Sequence, residues 1–330
     1  MISLVTGASG FVGSHVARFL AARGGEVRLL MRPSSDLRAI EGIPAERFSG
    51  DLRDPASLKA VLRGVDRVYH VAADYRLWSK TPKEIYESNV EGAHNLLQAA
   101  REAGVSRFVY TSTVGTIAAP VASSRLPNEE TLTRLDQMIG HYKRSKFLGE
   151  QEALRAAREG MSVVIVNPTT PVGAGDWKPT PTGQLIVDFL NGKTPAYVDT
   201  GLNIVGVEDV AEGHLLAAER GRAGERYLLG AENMTLLEIF TILAKFSGRP
   251  APRWKIPYSL ALAAGYCDAA VSAVTRREPR IPLEGVRMAR HKMFADCSKA
   301  VRELGFRPGP AAQALGRAAQ WYIGNGYVRE

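Results

Sequence analysis

Of the eleven tyrosines in the chain, Tyr142 alone stands four residues before a lysine, in Tyr142-Lys143-Arg144-Ser145-Lys146. On a helix those two side chains share one face. A free phenol titrates at about pH 10, too high to give and take protons readily at neutral pH. An ammonium beside its oxygen favours the phenolate and lowers that value. Tyr142 and Lys146 therefore read as an acid/base pair that moves the proton of a hydroxyl or carbonyl while hydride passes to or from a nicotinamide. A third group should reach the same oxygen from a strand end. Tyr110-Thr111-Ser112-Thr113 supplies three hydroxyls there. Thr113 is the expected hydrogen-bond donor to substrate, with Ser112 the alternative.

Hydride chemistry needs a dinucleotide, and the first turn of the chain is built for one. Gly7, Gly10 and Gly13 lie in Thr6-Gly7-Ala8-Ser9-Gly10-Phe11-Val12-Gly13, between an apolar run and a helical pattern. Glycines there allow a tight turn and close approach of backbone to a pyrophosphate, which the helix amino end attracts. The residue ending the second strand reads the adenosine ribose: acidic for NAD, arginine for NADP. Here it is Arg32, followed by Pro33-Ser34-Ser35, with no carboxylate until Asp36. A guanidinium among hydroxyls suits a 2′-phosphate. NADP is the expected cofactor and NAD the alternative. Asp51 and Leu52, after the third strand, are placed to meet the adenine, and Val71, Ala72 and Ala73, after the fourth, to line the phosphate side.

The elements that hold these residues follow from pattern. Strands are expected at Ile2–Thr6, Val27–Arg32, Arg47–Gly50, Arg67–Ala72, Arg107–Ser112 and Val163–Asn167, with helices after the first strand and at Asn89–Ala103 and His141–Arg158. Apolar runs such as Val163-Val164-Ile165-Val166 suit a sheet covered on both faces. Pro168, Pro171, Pro179 and Pro181 with Gly173 and Gly175 mark a loop passage. A strand at Asn203–Val207, a helix at Asp209–Glu219 and a strand at Arg226–Leu229 follow, and 232–330 read as mostly helical. The expected fold is α/β: a Rossmann-like, doubly wound parallel sheet with a smaller, mostly helical substrate domain. The dinucleotide domain would take 1–167 plus 203–231, and the substrate domain 168–202 plus 232–330.

Composition sets the limits. With 330 residues, 45% hydrophobic and 23% charged, the chain can bury a large core and is neither disordered nor collagen-like. Its net charge of +8 is dispersed, which argues against nucleic acid as a partner and for anionic small ligands. Two cysteines, Cys267 and Cys297, make no disulfide framework. Met1-Ile2-Ser3 offers no basic leader, so a cytoplasmic setting is expected. None of the six histidines has another within four residues, and no metal is expected. Ile256 to Thr275 is apolar, then turns basic at Arg276-Arg277. It reads either as a packed helix or as a peripheral membrane contact for a lipid-linked substrate.

Together these residues resemble the extended short-chain dehydrogenases/reductases, which include nucleotide-sugar epimerases and dihydroflavonol reductases. The likeness is carried by the glycine loop, Asp51-Leu52, His70-Val71-Ala72-Ala73, Asn89, Tyr110–Thr113, Tyr142/Lys146, Asn167-Pro168, Val207-Glu208-Asp209-Val210 and Asp296-Cys297-Ser298-Lys299-Ala300. It implies a catalytic Thr113, Tyr142 and Lys146, and a proton relay supported by Asn89. It also implies that Thr111, Pro168 and Thr169 meet the cofactor, that Asn203 and Arg287 touch substrate, and that the chain pairs as a homodimer through its two long helices. Arg76 and Trp78, after a strand end, are added as substrate contacts. Asp74-Tyr75-Arg76-Leu77-Trp78 and the run Asn167–Gly173 look like the bacterial hopanoid-associated sugar epimerases. Against a nucleotide sugar, Gly206 stands where family epimerases commonly carry histidine. The leading expectation is epimerisation by hydride transfer at a sugar carbinol carbon. The alternatives are an NADPH-dependent ketone or aldehyde reductase of the dihydroflavonol-reductase kind, and a catalytically silent NADP-binding protein.

Overall fold

A computed structural model describes residues 1–117, 125–275, 277–279 and 283–329. The strands are β1 (Ile2–Thr6), β2 (Glu26–Met31), β3 (Glu46–Ser49), β4 (Arg67–His70), β5 (Arg107–Thr111), β6 (Val163–Pro168), β7 (Thr170–Val172), β8 (Ala196–Val198), β9 (Gly201–Gly206), β10 (Arg226–Leu229), β11 (Glu232–Thr235) and β12 (Trp254–Ile256). The helices are α1 (Phe11–Ala22), α2 (Pro55–Leu62), α3 (Pro82–Tyr86), α4 (Gly92–Glu102), α5 (Gly140–Arg158), α6 (Pro181–Leu190), α7 (Val207–Arg220), α8 (Leu236–Ser247), α9 (Tyr258–Thr275), α10 (Leu283–Met288), α11 (Ser298–Leu304) and α12 (Ala311–Gly324).

Seven strands form one parallel sheet in the order β10-β6-β5-β4-β1-β2-β3. The expected Rossmann-like sheet is present. Its central strands are largely apolar, yet they still alternate. Val5, Tyr69, Val109 and Val164 face α1, α7 and α11. Leu4, Val68, Phe108 and Ile165 face α2, α4 and α5. Each such side chain adds roughly 1.5–3 kcal/mol on burial, so two covered faces fix the register of the central strands. The winding direction reverses between β1 and β4, and a crevice opens there at the carboxyl ends of the strands.

A second core gathers Val172, Ile204 and Met234 with residues of α6, α8 and α12. Under it lies a three-stranded sheet, β11-β9-β7. Two expectations are corrected. The proline-rich passage after Asn167 is not all loop: Thr170–Val172 pairs with β9, and Pro181 opens α6. Proline is tolerated in β7 because that strand is an edge, and at the first turn of α6 because that N–H has no helical partner. Thr180 caps the helix by accepting from Gly183 N. Likewise, β9 leaves the large sheet and pairs with β7 and β11, so 203–206, expected with the dinucleotide domain, joins the second sheet. The apolar stretch after Ile256 is helical as expected, and packs through Gly265 on Leu283 and Val286 of α10. Among the described residues no helix is long and apolar enough to cross a membrane. Arg276 lies outside the described residues.

Candidate active site

The glycine turn is close to its steric limit. Gly7 has φ +73°, and a Cβ there would sit 2.6 Å from the Ala72 nitrogen. A Cβ on Gly13 would overlap the Gly7 carbonyl oxygen. The turn leads into α1, whose Gly10 cap offers no side chain and whose first turn carries no acid. The first amides of α1, including those of Phe11 and Val12, therefore have no partner within the helix, and Ser9 precedes them. Val71, Ala72 and Ala73 run beside this cradle, with Val71 N bonded to Thr6 O at 3.2 Å. A backbone cradle that excludes Cβ atoms and presents open amides fits a pyrophosphate.

Arg32, exposed after β2, has no ion-pair partner among the described residues, and its backbone nitrogen donates to Ser35 Oγ at 3.1 Å. Carboxylates nearby are already taken. Asp36 is bound twice over by Arg38, at 2.5 and 3.0 Å. Asp51 is bound by Arg53 at 2.7 Å, a guanidinium that holds its carboxyl below the usual range. Leu52 is buttressed by Gly92, and its carbonyl accepts from Asn95.

Helix α5 brings Tyr142 to the end of β5. Thr113, whose Oγ1 accepts from Gly115 N at 3.1 Å, lies near enough to Tyr142 to ease its ionisation. Lys146, expected to lower the Tyr142 pKa, is bonded elsewhere. Its Nζ donates to the Thr111 carbonyl at 2.7 Å and lies 4.9 Å from the Tyr110 ring centre. Burial consequently dominates both groups. It pushes Tyr142 up to about 12, with Thr113 opposing, and Lys146 down to about 8, with Glu150 opposing.

Asn89 sits in a π-helical turn, Glu87–Glu91, between α3 and α4. Such turns point a side chain away from the regular helical register. Its amide brackets the Asp74 backbone at 2.7 and 2.9 Å and donates to Ser145 Oγ at 2.9 Å, while Ser145 Oγ donates to the Tyr142 carbonyl. Asn89 thus ties the loop after β4 to the helix carrying Tyr142 and Lys146.

Spacing had a further message that went unread. Glu150, one turn beyond Lys146 and 1% exposed, accepts from Ser112, from Thr116 Oγ1 at 2.9 Å and from Asn167 Nδ2 at 2.9 Å. Its other oxygen faces Arg226 at 3.4 Å. This commits Ser112 to the protein interior and leaves Thr113 as the hydroxyl beside Tyr142. His214 had no sequence signal; its Nδ1 donates to the Val210 carbonyl at 2.7 Å, so Nε2 accepts from Thr111 Oγ1 at 2.9 Å.

The expected substrate contacts fare less well. Asn203 is buried, and its amide is spent on Asn233 Oδ1 and Ala231 N at 2.8 and 3.0 Å. Arg76 is clamped by Asp74 and Glu84. Arg287 lies over Tyr266 and donates to its hydroxyl at 3.0 Å, on the α9–α10 face. These three guanidinium and amide groups already have protein partners, which spacing alone could not reveal. Trp78 is partly buried on the Arg76 loop. Thr169 is held by the Leu229 carbonyl, and Pro168 closes β6 beside it. Gly206 leaves room for Asp209 and Arg317.

Comparison with known proteins agrees with this fold. The NAD dependent epimerase/dehydratase family model matches residues 3–230. A putative dihydroflavonol 4-reductase of Synechocystis is 44% identical over 329 residues, spanning 98% of this chain and 95% of its own. Sterol demethylase protein B of Methylococcus capsulatus is 35% identical, with 99% and 100% covered. The crystal structure of a nucleoside-diphosphate-sugar epimerase from Pseudomonas aeruginosa superposes with a TM-score of 0.81 at 28% identity, covering 100% of this chain and 99% of that one.

Proposed function

Because the chain belongs to the NAD-dependent epimerase/dehydratase family, we propose that it is an NADPH-dependent reductase of a small-molecule ketone or aldehyde. The observation that carries this reading is Arg32. It stands at the β2 end, exposed, where a carboxylate would be needed to favour NAD, and the acids around it are bound to Arg38, Arg53 and Arg76. A free guanidinium there would hold a 2′-phosphate. The relatives named as reductase support the same direction.

Gly7, Gly10, Gly13 and the amides of α1 would hold the pyrophosphate, Arg32 and Ser35 the 2′-phosphate, and Lys146 and Thr111 would face the nicotinamide ribose side. When bound, the reduced nicotinamide supplies hydride to the carbonyl carbon. Tyr142, kept neutral by burial, gives its proton to the carbonyl oxygen. Thr113 donates a hydrogen bond to the same oxygen, then to the phenolate left behind. Lys146, anchored on the Thr111 carbonyl, sets a positive charge under that phenolate while Asn89 fixes the helix register. The balance is one hydride and one proton for one carbonyl, giving an alcohol. Burial keeps the Tyr142 phenol protonated, the form that reduction consumes.

A second reading, sugar epimerase, is favoured by the Pseudomonas aeruginosa structure. The two separate in a titration of nucleotide-stripped protein. NADPH should bind at least tenfold tighter than NADH, and Arg32→Asp should weaken NADPH roughly 10–100-fold, the worth of a charge-assisted hydrogen bond. Equal binding of both nucleotides, or NAD retained through purification, would overturn the reductase reading.

A further inference from the structure

One cation of the site is used by nothing described so far. Lys143 leaves α5 beside Tyr142 and runs along Gly115, the middle residue of the turn Val114–Thr116 that follows Thr113. A Cβ built on Gly115 would lie 3.3 Å from Lys143 Cε and 3.4 Å from the Thr113 methyl carbon, so both side chains flank that glycine. On the far side, Lys143 Nζ meets Met293 Sδ at 4.0 Å. A thioether accepts weakly and carries no charge.

No carboxylate faces this ammonium among the described residues. Of the residues that are not described, 118–124, 276, 280–282 and 330, only Glu330 is acidic. Several other lysines have an acid of their own: Lys299 has Glu225, Lys255 has Asp199 and Lys83 has Glu87. Lys146 has a carbonyl and Glu150 close by. Lys143 is partly buried without either, and that burial pushes it down to about 8. A desolvated cation with no counter-charge is unfavourable unless a ligand completes it.

We infer that Lys143 is the anion-recognising residue of the substrate site, and that the substrate carries an oxyanion, a carboxylate or phosphoryl group, a few bonds from the carbonyl held by Tyr142 and Thr113. This rests on the reductase reading and narrows it to acidic ketones or aldehydes.

The test is a set of matched pairs: acetoacetate and levulinate against their ethyl esters, and hydroxyacetone phosphate against hydroxyacetone, followed by NADPH oxidation. In one class of pair the anionic member should lead by about 10–100-fold in kcat/KM, and the class that leads distinguishes carboxylate from phosphoryl. In Lys143→Gln that ratio should fall at least tenfold, and Lys143→Arg should restore part of it. An unchanged ratio, or a wild-type preference for the neutral members, overturns the inference. Calorimetry of the NADPH-loaded protein separates the two readings. Saturable binding of an anionic probe that is lost in Lys143→Gln, without turnover, sustains Lys143 and overturns the reductase. Neither binding nor turnover of any anionic probe overturns Lys143, while NADPH binding leaves the cofactor reading standing.

Discussion

At the scale of single residues, burial rather than pairing sets the protonation states of the site. Lys146 was expected to depress Tyr142, yet its ammonium is held by the Thr111 carbonyl and Tyr142 is raised. What keeps Lys146 charged is Glu150, whose carboxylate opposes the burial of Lys146 from one turn away. Activity should therefore fall above about pH 8, where Lys146 loses its proton. Glu150→Gln removes the charge while keeping the shape. The alkaline limb of kcat/KM should move to lower pH, and stability should drop by about 3–5 kcal/mol as Arg226 and three donors lose a carboxylate. A pH–rate profile with its limb unmoved would show that Glu150 only packs. Tyr142, Lys146 and Thr113 were legible because a fixed spacing and a strand end suffice to place them. Glu150 was legible by the same spacing. The isolation of Lys143 was not, because a missing counter-ion is a property of every neighbour at once. The same physics hid the partners that immobilise Asn203, Arg76 and Arg287.

The secondary elements were readable where one local rule governs. Each strand of the large sheet fell within a residue or two of its expected place, because continuous apolar runs bounded by turn residues leave little else to form. The errors lie where tertiary pairing overrides local signals. Pro171 enters β7 because an edge has no partner for the missing N–H, and the π-helical turn at Asn89 depends on contacts with α5 and the loop after β4. The glycine turn is where sequence and function meet most tightly, and it can be tested by adding one methyl group. Gly13→Ala drives a Cβ into the Gly7 carbonyl, so α1 must lift from the sheet. Nucleotide affinity should fall at least 100-fold, with about 1–3 kcal/mol lost to overpacking. Gly24→Ala serves as the control. Its φ is +75°, but open space surrounds it, so it should cost about 1–2 kcal/mol in left-handed strain and leave nucleotide binding alone. If both variants bind NADPH alike in a fluorescence titration, the cradle is not where the pyrophosphate sits.

Across the whole molecule, the crevice is stitched together by neutral histidines that a change of pH would charge. Thr6 of β1 bonds His70 of β4 at 2.8 Å, directly below the switch point. Thr111 of β5 bonds His214 of α7 in the same way. Burial pushes His70 down to about 3, with Lys146 adding repulsion, and His214 down to about 4, with the Val210 carbonyl opposing. In the unfolded chain both titrate at about 6.5. Between those values the unfolded state binds protons and the folded state does not, so stability must fall as pH drops below 6.5 and keep falling toward 4. Near pH 5.5 the slope should approach roughly 2.7 kcal/mol per pH unit from these two residues. His15, also held down by burial, steepens it further. His70→Gln and His214→Gln should each remove about 1.4 kcal/mol per pH unit of that slope, measured by urea unfolding from pH 5 to 6.5. A flat wild-type profile in that window would mean that the histidines are already charged in the fold. Bound nucleotide should raise the urea midpoint at every pH and leave the His214 share of the slope unchanged, because both nitrogens of that ring are already bonded. The acid sensitivity therefore belongs to the scaffold, and the alkaline limit near pH 8 to Lys146, joined by Lys143 when the substrate is an anion. The window between them is where Tyr142 is an acid, Lys146 a cation and the sheet beneath them intact.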